Sequence, residues 1–381
     1  MRLVVVGNGM VGQRLVDALR ARDTAAEWHV TVLGEERHPA YDRVAITSYL
    51  SGRSAAELSI VPADCYDGET AVLHLREAAV TIDRERRTVT GASGATYPYD
   101  ALVLATGSSP FVPPLPGADT PGCFVYRTLD DLDAIRRCVA WARTGIVIGG
   151  GLLGLEAAGA LHGMGLGTHV VEMAPRLMPV QVDEAGGHVL RRHVEALGVT
   201  VHTGVRTTRI EPAGRGIRLV AGEGQLEDGA LEADLLVFSA GVRPRDALAR
   251  QAGLGCGTRG GVLVDRTCRT QDEAIYAVGE CAAVDGRAYG LVAPGFAMAE
   301  VVADRLVGGE ATFPGADLST KLKLLGVDVA SFGDAHAVTP GALELVYSDQ
   351  VAGVYSKLVV TDDARVLLGG ILVGDATAYA S

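Results

Sequence analysis

Paired cysteines are absent from this sequence of 381 residues. Its six cysteines are scattered, with no CxxC or CxxxxC spacing among them. Cysteine-ligated metal sites usually need closely spaced cysteine pairs, and structural disulfides need an oxidising compartment. We therefore expect neither. The cysteine pattern predicts a reducing compartment and a protein without a metal site.

Membrane and export signals are missing as well. No stretch reaches the roughly 18 apolar residues of a membrane span, and Met1 to Val6 runs into Gly7 without a charged leader. Basic runs are also absent, because 34 basic residues stand against 46 acidic ones and the formal net charge is −12. This balance disfavours a nucleic-acid partner. We predict a cytoplasmic protein that binds neither membrane nor nucleic acid.

Glycine, by contrast, is abundant. The chain has 49 glycines, whereas its 15 prolines follow no period and exclude a collagen-like protein. With 48% hydrophobic and 21% charged residues, it has enough apolar surface to fold, which excludes intrinsic disorder. At about 100 to 200 residues per domain, the length predicts two or three domains.

A strand, a glycine turn, a helix and a second strand follow one another at the start of the chain. Leu3 to Val6 is a short apolar run typical of a strand buried on both faces. The turn Gly7 to Gly12 comes next, a helical pattern runs from Val11 to about Arg22, and the strand His29 to Leu33 ends before Glu35. This order is that of a dinucleotide-binding βαβ unit.

The same order occurs a second time further along the chain. A strand at Gly145 to Ile148 is followed by the glycine turn Gly149 to Gly154 and by a helix to about Met164. The strand His169 to Val171 then ends at Glu172. The chain therefore contains a duplicated unit.

The spacing of glycines and acids predicts two dinucleotide sites. The first glycine permits a tight turn, the second lets the backbone approach a diphosphate, and the third lets helix and strand pack closely. Glu35 lies 23 residues after Gly12 and Glu172 lies 18 residues after Gly154, near the spacing of about 20 expected for a ribose-binding acid. Glu35 and its neighbour Glu36 both remain candidates in the first unit. We favour Glu35 because it comes first after the strand.

Two further segments carry a family resemblance. Ala105-Thr106-Gly107 at a strand end and Gly279-Glu280 after an apolar run resemble, with the first glycine turn, the flavoprotein reductases that have two dinucleotide-binding domains. The resemblance implies an α/β fold with two Rossmann-like domains, the NAD domain nested in the FAD domain, and a small C-terminal α+β domain. The implied bounds are 1–112 and 243–312 for FAD, 113–242 for NAD and 313–381 for the interface domain, whose last residues, 375–381, predict a helix start.

The acids indicate how each cofactor is bound. Family members usually have aspartate at the position of Glu280, and the implied role is to accept hydrogen bonds from the ribityl hydroxyls of FAD. Glu172 favours NADH, because a carboxylate there binds ribose hydroxyls and repels the 2′-phosphate of NADPH. Arg176, four residues later, leaves NADPH possible.

Departures from the family narrow the chemistry. Its ferredoxin and rubredoxin reductases carry Tyr-x-Arg followed by a lysine near the flavin, and here Tyr41 and Arg43 match while Ser48 replaces the lysine. Glu156 matches a family glutamate near the nicotinamide and is the candidate catalytic residue. The oxidases and peroxidases of the family have a cysteine where this chain has Val44, so we expect no thiol chemistry.

The remaining candidates are turn and helix-start residues. We expect Pro294 and Gly295 to precede a helix whose positive end faces the flavin and stabilises its anionic reduced form. Together the candidate cofactor-binding residues are Gly7, Gly9, Met10, Gly12, Glu35, Tyr41, Arg43, Ser48, Ala105, Thr106, Gly107, Gly149, Gly151, Leu153, Gly154, Glu172, Gly241, Gly279, Glu280, Pro294 and Gly295.

Longer segments resemble one branch of the family. These segments, which include CFVYRT from Cys123, GVRPR from Gly241 and KLKLLGVDV from Lys321, resemble the N-terminal part of the large subunits of assimilatory NADH nitrite reductases. The electron-transfer subunits of assimilatory nitrate reductases are similar too. The resemblance implies FAD and NADH as cofactors, an iron–sulfur and sirohaem domain or subunit as electron acceptor, and a homodimer formed through the C-terminal domain.

Two alternatives stay open. One is a stand-alone NADH oxidase or a ferredoxin- or rubredoxin-type reductase. The other is a flavin-bound assembly or sensor protein, in which the last domain serves dimerisation or docking and turnover is incidental.

Overall fold

The computed structural model describes residues 1–68 and 70–380, and it divides into two compact units. Unit 1 comprises Met1–Ile46, Arg53–Ser109 and Val242–Ala316, and unit 2 comprises Thr47–Gly52, Pro110–Gly241 and Asp317–Ser381. The sequence-based division into three domains stays a prediction, since residues 317–381 group with the segment at 110–241.

The helices are short to medium in length. They are α1 (Met10–Arg22), α2 (Thr47–Leu50), α3 (Ala55–Leu58), α4 (Leu129–Val139), α5 (Leu152–Gly163), α6 (Glu184–Ala196), α7 (Ala247–Gln251) and α8 (Val292–Leu306), with 3₁₀ turns at Gly279–Cys281 and Thr377–Ala380. The predicted helix start at residues 375–381 is thus a single 3₁₀ turn, and Ser381 lies outside the described residues.

The strands are interspersed with these helices up to residue 306, and after that residue strands alone follow one another up to the last 3₁₀ turn. They are β1 (Arg2–Val6), β2 (His29–Gly34), β3 (Ala71–Leu75), β4 (Ala79–Asp83), β5 (Thr88–Gly91), β6 (Thr96–Pro98), β7 (Ala101–Leu104), β8 (Ser108–Pro110), β9 (Cys123–Val125), β10 (Thr144–Ile148), β11 (Gly167–Glu172), β12 (Thr200–Thr203), β13 (Thr207–Ala213), β14 (Gly216–Ala221), β15 (Ala230–Ala233), β16 (Leu235–Phe238), β17 (Val242–Pro244), β18 (Val262–Val264), β19 (Ile275–Ala277), β20 (Ala282–Val284), β21 (Arg287–Ala288), β22 (Thr320–Leu324), β23 (Val327–Gly333), β24 (Leu343–Asp349), β25 (Val354–Val360) and β26 (Leu367–Gly374).

Unit 1 is organised around a parallel sheet with the order β19-β7-β1-β2-β3. Strand β1 lies at its centre, and Leu3 to Val6 are buried, as expected for a strand covered on both faces. Helices α1 and α8 pack against each other in this unit. The carboxyl ends of β1, β7 and β19 therefore lie side by side, where ligands bind in sheets of this type.

Unit 2 repeats this arrangement. Its parallel sheet has the order β12-β11-β10-β16-β9, with β10 at the centre and α5 directly after it. The carboxyl ends of β10, β11 and β16 meet at one edge. The sequence duplication is thus also a structural one.

The end of the chain forms an antiparallel sheet with the order β22-β23-β26-β25-β24. One face is covered by α6, which packs against β25 and β26 within unit 2. Strand β24 forms an edge, and Leu343, Leu345 and Tyr347 on it are 45 to 60% exposed.

Candidate dinucleotide-binding sites

The glycine turn of unit 1 has a geometry that side chains would disrupt. Gly7 has φ +114°, and a Cβ there would collide with the Ala105 carbonyl. A Cβ on Gly12 would collide with the Gly7 carbonyl, whereas the space beside Gly9 is open for 4 Å. Helix α1 begins after Gly9 without a side-chain cap. The helix start thus leaves backbone N–H groups and open space for an anion.

The second turn has the same geometry in unit 2. Gly149 has φ +117°, and its Cβ would collide with the Ser239 carbonyl, as that of Gly154 would with the Gly149 carbonyl. Gly151 faces open space and precedes α5 without a side-chain cap. The glycines of the second turn are thus required by the same close contacts as those of the first turn. Each turn leaves open space in which a diphosphate would fit.

One buried polar group supports this fit in unit 1. Asn8 lies inside the first turn, and among the described residues its buried Nδ2 and Oδ1 atoms have no hydrogen-bond partner. A buried amide without partners is costly in a folded protein. A bound ligand offering polar atoms beside the turn would satisfy it.

Glu172 is tied to the second turn. It ends β11, and its carboxylate accepts hydrogen bonds from the backbone N–H of Gly150 at 2.6 Å and of Ala174 at 2.7 Å. These bonds fix the carboxylate beside the glycine turn while leaving lone pairs for ribose hydroxyls. Its placement suits the expected role.

Glu35 does not occupy the equivalent place in unit 1. Val6 pairs with Leu33 in the same way as Ile148 pairs with Val171, so Gly34 is the counterpart of Glu172 and Glu35 lies one residue beyond it. The reason is steric, since a Cβ at Gly34 would lie 3.0 Å from the Cβ of Asn8. The Glu35 side chain is 54% exposed and pairs with Arg245. Its role toward a ribose stays a prediction.

The neighbouring acid, Glu36, has partners within its own segment. Tyr41 donates its hydroxyl to Glu36 at 2.7 Å, and Arg43 forms an ion pair with the same carboxylate and lies over the Tyr41 ring. Burial would lower the pKa of Arg43, but nearby Tyr41 and Glu36 hold that pKa above its ordinary value. Sequence reasoning placed Tyr41 and Arg43 in one motif and did not identify Glu36 as the acid that joins them.

The late turn of unit 1 meets two helix starts. Gly279 has φ +77°, and Glu280 accepts a hydrogen bond from the Ser108 hydroxyl at 2.8 Å. A Cβ on Gly295 would lie 2.6 Å from a Val11 methyl and 3.2 Å from the Gly279 Cα. This close approach brings together the starts of α1 and α8 and the Gly279 turn.

The expected start of α8 was wrong by a few residues. The helix begins at Val292, so Pro294 and Gly295 lie inside its first turn and do not precede it. Proline is tolerated there because the first N–H groups of a helix have no partner within the helix. Met10 and Leu153 likewise lie in the first turns of α1 and α5, and neither is buried.

The other turn candidates lie at strand ends. Ala105, Thr106 and Gly107 follow β7, and Thr106 donates its hydroxyl to the Arg245 carbonyl at 2.6 Å. Gly107 has φ +66° in unit 1 and Gly241 has φ +103° in unit 2, and both face open space. Because neither glycine carries a side chain, the backbone at both positions can approach a ligand closely.

Glu156 is a half-buried acid in α5, and its burial raises the pKa of the carboxyl. The hydroxyl of Tyr126 donates to the Thr47 hydroxyl at 3.0 Å, and the charge of Glu156 adds to the burial that raises the pKa of Tyr126. Ser48 lies beside Thr47 in α2, which packs against α5 within unit 2. The structure thus brings Glu156 and the Ser48 segment into one unit.

Two absences concern the described part of the chain. Over residues 1–68 and 70–380, no group of three or more His, Cys, Asp or Glu side chains is arranged to hold a metal ion. Within the same ranges no helix has the length and apolar character to cross a membrane. All six cysteines are free thiols.

Similar proteins extend over the whole chain. It is 52% identical over 379 residues to a nitrite reductase [NAD(P)H] large subunit of Klebsiella oxytoca and 48% identical over 380 residues to a nitrite reductase (NADH) large subunit of Escherichia coli. Both matches cover 100% of this chain but only 39% and 44% of those proteins. The chain therefore spans less than half the length of these relatives.

A solved structure and two family models agree with these relatives. The ferredoxin reductase for the CYP199A2 system from Rhodopseudomonas palustris matches with a TM-score of 0.86 and 27% identity, over 100% of this chain and 92% of that one. Residues 319–381 match the rubredoxin NAD+ reductase C-terminal domain, and residues 1–300 match the pyridine nucleotide-disulphide oxidoreductase model. The chain therefore belongs to the pyridine nucleotide-disulphide oxidoreductase family, as an FAD-dependent NAD(P)H oxidoreductase.

Proposed function

We propose that this chain is the NADH-oxidising module of a nitrite or nitrate reductase, which passes electrons from NADH through FAD to an iron–sulfur and sirohaem domain or subunit. The observation that carries the proposal is the pair of glycine turns with matched geometry, each opening a helix without a side-chain cap. The relatives named as nitrite reductases support the choice of partner. The cytoplasmic location stays a prediction.

Unit 1 would hold FAD. The N–H groups at the start of α1 face the open space beside Gly9, where a diphosphate fits. Asn8 offers its unpartnered amide at the same turn, and Glu280 offers carboxylate oxygens to sugar hydroxyls. The start of α8 contributes a partial positive charge that stabilises negative charge near it.

Unit 2 would hold NADH. The start of α5 takes the diphosphate, and the fixed Glu172 carboxylate accepts ribose hydroxyls. Arg176 supports the choice of NADH over NADPH, because its guanidinium donates to the carbonyls of Val182 at 2.9 Å and Pro179 at 3.3 Å. It is thereby engaged in holding its own loop.

The reaction needs little acid–base help from the protein. When bound, FAD would supply the redox chemistry, which is acceptance of hydride from NADH and release of single electrons. The side chains position the two dinucleotides and tune the local charge. Burial raises the pKa of the Glu156 carboxyl, so this acid, which we place near the nicotinamide, would lose its negative charge at a higher pH than an exposed glutamate.

The C-terminal sheet is the proposed site of dimerisation. Leu343, Leu345 and Tyr347 lie on the edge strand β24 and are largely exposed. Exposed apolar side chains on an edge strand favour pairing with another chain. A homodimer through this edge would cover them.

Reoxidation of the NADH-reduced protein distinguishes the proposal from its alternatives. We expect slow reoxidation by air and fast reoxidation by an added protein that carries an iron–sulfur cluster and sirohaem. Fast reoxidation by air alone would favour a stand-alone oxidase, and fast reoxidation by ferredoxin or rubredoxin alone would favour the corresponding reductase. A flavin that NADH fails to reduce would leave the assembly or sensor protein.

A further inference from the structure

The loop between Glu172 and α6 is held from both sides. At its start, Glu172 accepts the Ala174 N–H, and the Met178 N–H donates to the Gly150 carbonyl at 2.9 Å. The loop is thereby attached to the second glycine turn. Within it, Arg176 donates to two carbonyls of the same loop. These contacts make residues 173–183 one connected piece.

The C-terminal sheet holds the far end of this loop. The Nε2 atom of His336 lies 2.8 Å from the Val180 carbonyl oxygen. The Tyr355 hydroxyl donates to the Asp183 carboxylate at 2.6 Å, and the Lys357 ammonium lies 3.0 Å from the same carboxylate oxygen. Two side chains of β25 and one from the connection between β23 and β24 thus reach two positions of the loop.

Asp183 links these contacts to the start of helix α6. It is the N-cap of α6, and its other oxygen accepts the Gly186 N–H at 2.9 Å. Burial would raise the pKa of Asp183, but the bonds from Tyr355, Gly186 and Lys357 lower it below the ordinary value. The carboxylate is therefore charged and saturated with donors at neutral pH.

Lys357 is an unusual choice for this place. It is one of only three lysines in the chain, and it is 3% exposed. A buried ammonium requires compensation, which Asp183 and Glu344 provide at 3.0 and 2.9 Å. The Tyr355 ring lies against Gly186, where a Cβ would approach it to 3.2 Å. The contact is closely packed as well as charged.

From this geometry we infer that Lys357, Tyr355 and His336 are positioning residues for NADH, acting through the loop 173–183 on Glu172. The inference rests on the proposed function of Glu172. The C-terminal sheet then has a second role beside any interface, because it fixes the segment on which the ribose-binding acid lies. Loss of the Lys357 contact should loosen the loop and weaken NADH binding while leaving the FAD-binding unit intact.

The test compares Lys357→Met with Lys323→Met, an exposed lysine of the same sheet, in the FAD-loaded protein. We expect Lys357→Met to raise the Kd and the KM for NADH about five- to tenfold with kcat nearly unchanged. Trypsin should cleave the NADH-free variant faster after Arg176, in the loop itself. Lys357→Arg should restore the Kd in large part, FAD content should be unchanged, and Lys323→Met should behave as wild type.

An unchanged Kd for NADH would overturn the inference, whether or not cleavage after Arg176 changes. If Lys357→Met does not fold, Tyr355→Phe removes only the hydroxyl bond to Asp183 and should raise the Kd about two- to threefold, and no rise there would also overturn it. A wild-type protein that does not bind NADH would overturn the proposed function and this inference together. Wild-type binding that the variants leave unaltered overturns this inference alone.

Discussion

The carboxylate of Glu172 accepts a hydrogen bond from the backbone N–H of Gly150 at 2.6 Å, which joins the acid to the glycine turn of its own βαβ unit. The turn that we expect to bind the diphosphate and the acid that we expect to bind the ribose are thus joined by a direct hydrogen bond. This contact is why the acid and the turn can be tested as a pair.

Removing the charge of Glu172 should weaken the binding of NADH more than the binding of NADPH. We expect Glu172→Gln to raise the Kd for NADH about tenfold and to narrow the preference over NADPH, because repulsion of the 2′-phosphate is lost. Fluorescence titration with both nucleotides measures this. Glu35→Gln in unit 1 is the control and should leave the NADH affinity unchanged. Equal weakening of both nucleotides would contradict the assigned specificity.

Two glycines of α5 provide a matched pair. Gly154→Ala places a methyl against the Gly149 carbonyl and should abolish NADH binding and destabilise the protein by about 1–3 kcal/mol. Gly163→Ala, in the same helix with open space around it, should be neutral or stabilising by at most about 1 kcal/mol. Thermal unfolding and NADH titration test both. Equal effects of the two substitutions would show that the turn has no special role.

The raised pKa of Glu156 gives a pH dependence with a definite sign. Protonation is favoured in the folded state, so the stability contributed by this group is present at low pH and declines as the pH rises through the raised pKa. Flavin reduction by NADH should slow over the same interval. Glu156→Gln, which is always neutral, should remove this titration and retain the low-pH rate. Stopped-flow measurements at a series of pH values above the ordinary pKa of a glutamate follow this change. A pH profile unchanged by the substitution would exclude the role.

The exposed edge strand β24 predicts a dimer that charge can break. Leu345→Glu should convert the dimer to a monomer, because Leu345 is 56% exposed on this edge and would be buried in the interface. Val351→Glu, at a fully exposed turn position, is the control. Analytical ultracentrifugation reports the change. A protein that sediments as a monomer before any substitution refutes dimerisation through this edge.

Local pattern sufficed for the parts of the fold that depend on neighbours in the sequence. The glycine turns, their helices and the terminal strands are encoded by spacing and alternation within short windows. The counterpart of Glu172 at Gly34 could not be predicted, because it depends on the contact between Gly34 and Asn8 across two strand ends. The start of α8 at Val292 was missed because proline suits both a turn and a first helical turn.

The contacts of Lys357 show the same limit at longer range. Asp183 and Lys357 are far apart in the sequence, and neither belongs to a motif. Only the packing of the C-terminal sheet against α6 brings them together. The signal in the sequence was the scarcity of lysine, because the chain has only three. The structure was needed to show that one of them, Lys357, is buried.

The central claim is that two glycine turns hold two dinucleotides in one chain so that hydride can pass between them. Anaerobic mixing of the FAD-loaded protein with one equivalent of NADH tests this most directly, followed by flavin absorbance. The account predicts complete loss of the oxidised flavin absorbance in a single turnover. Retention of that absorbance by a protein that holds FAD and binds NADH would contradict it.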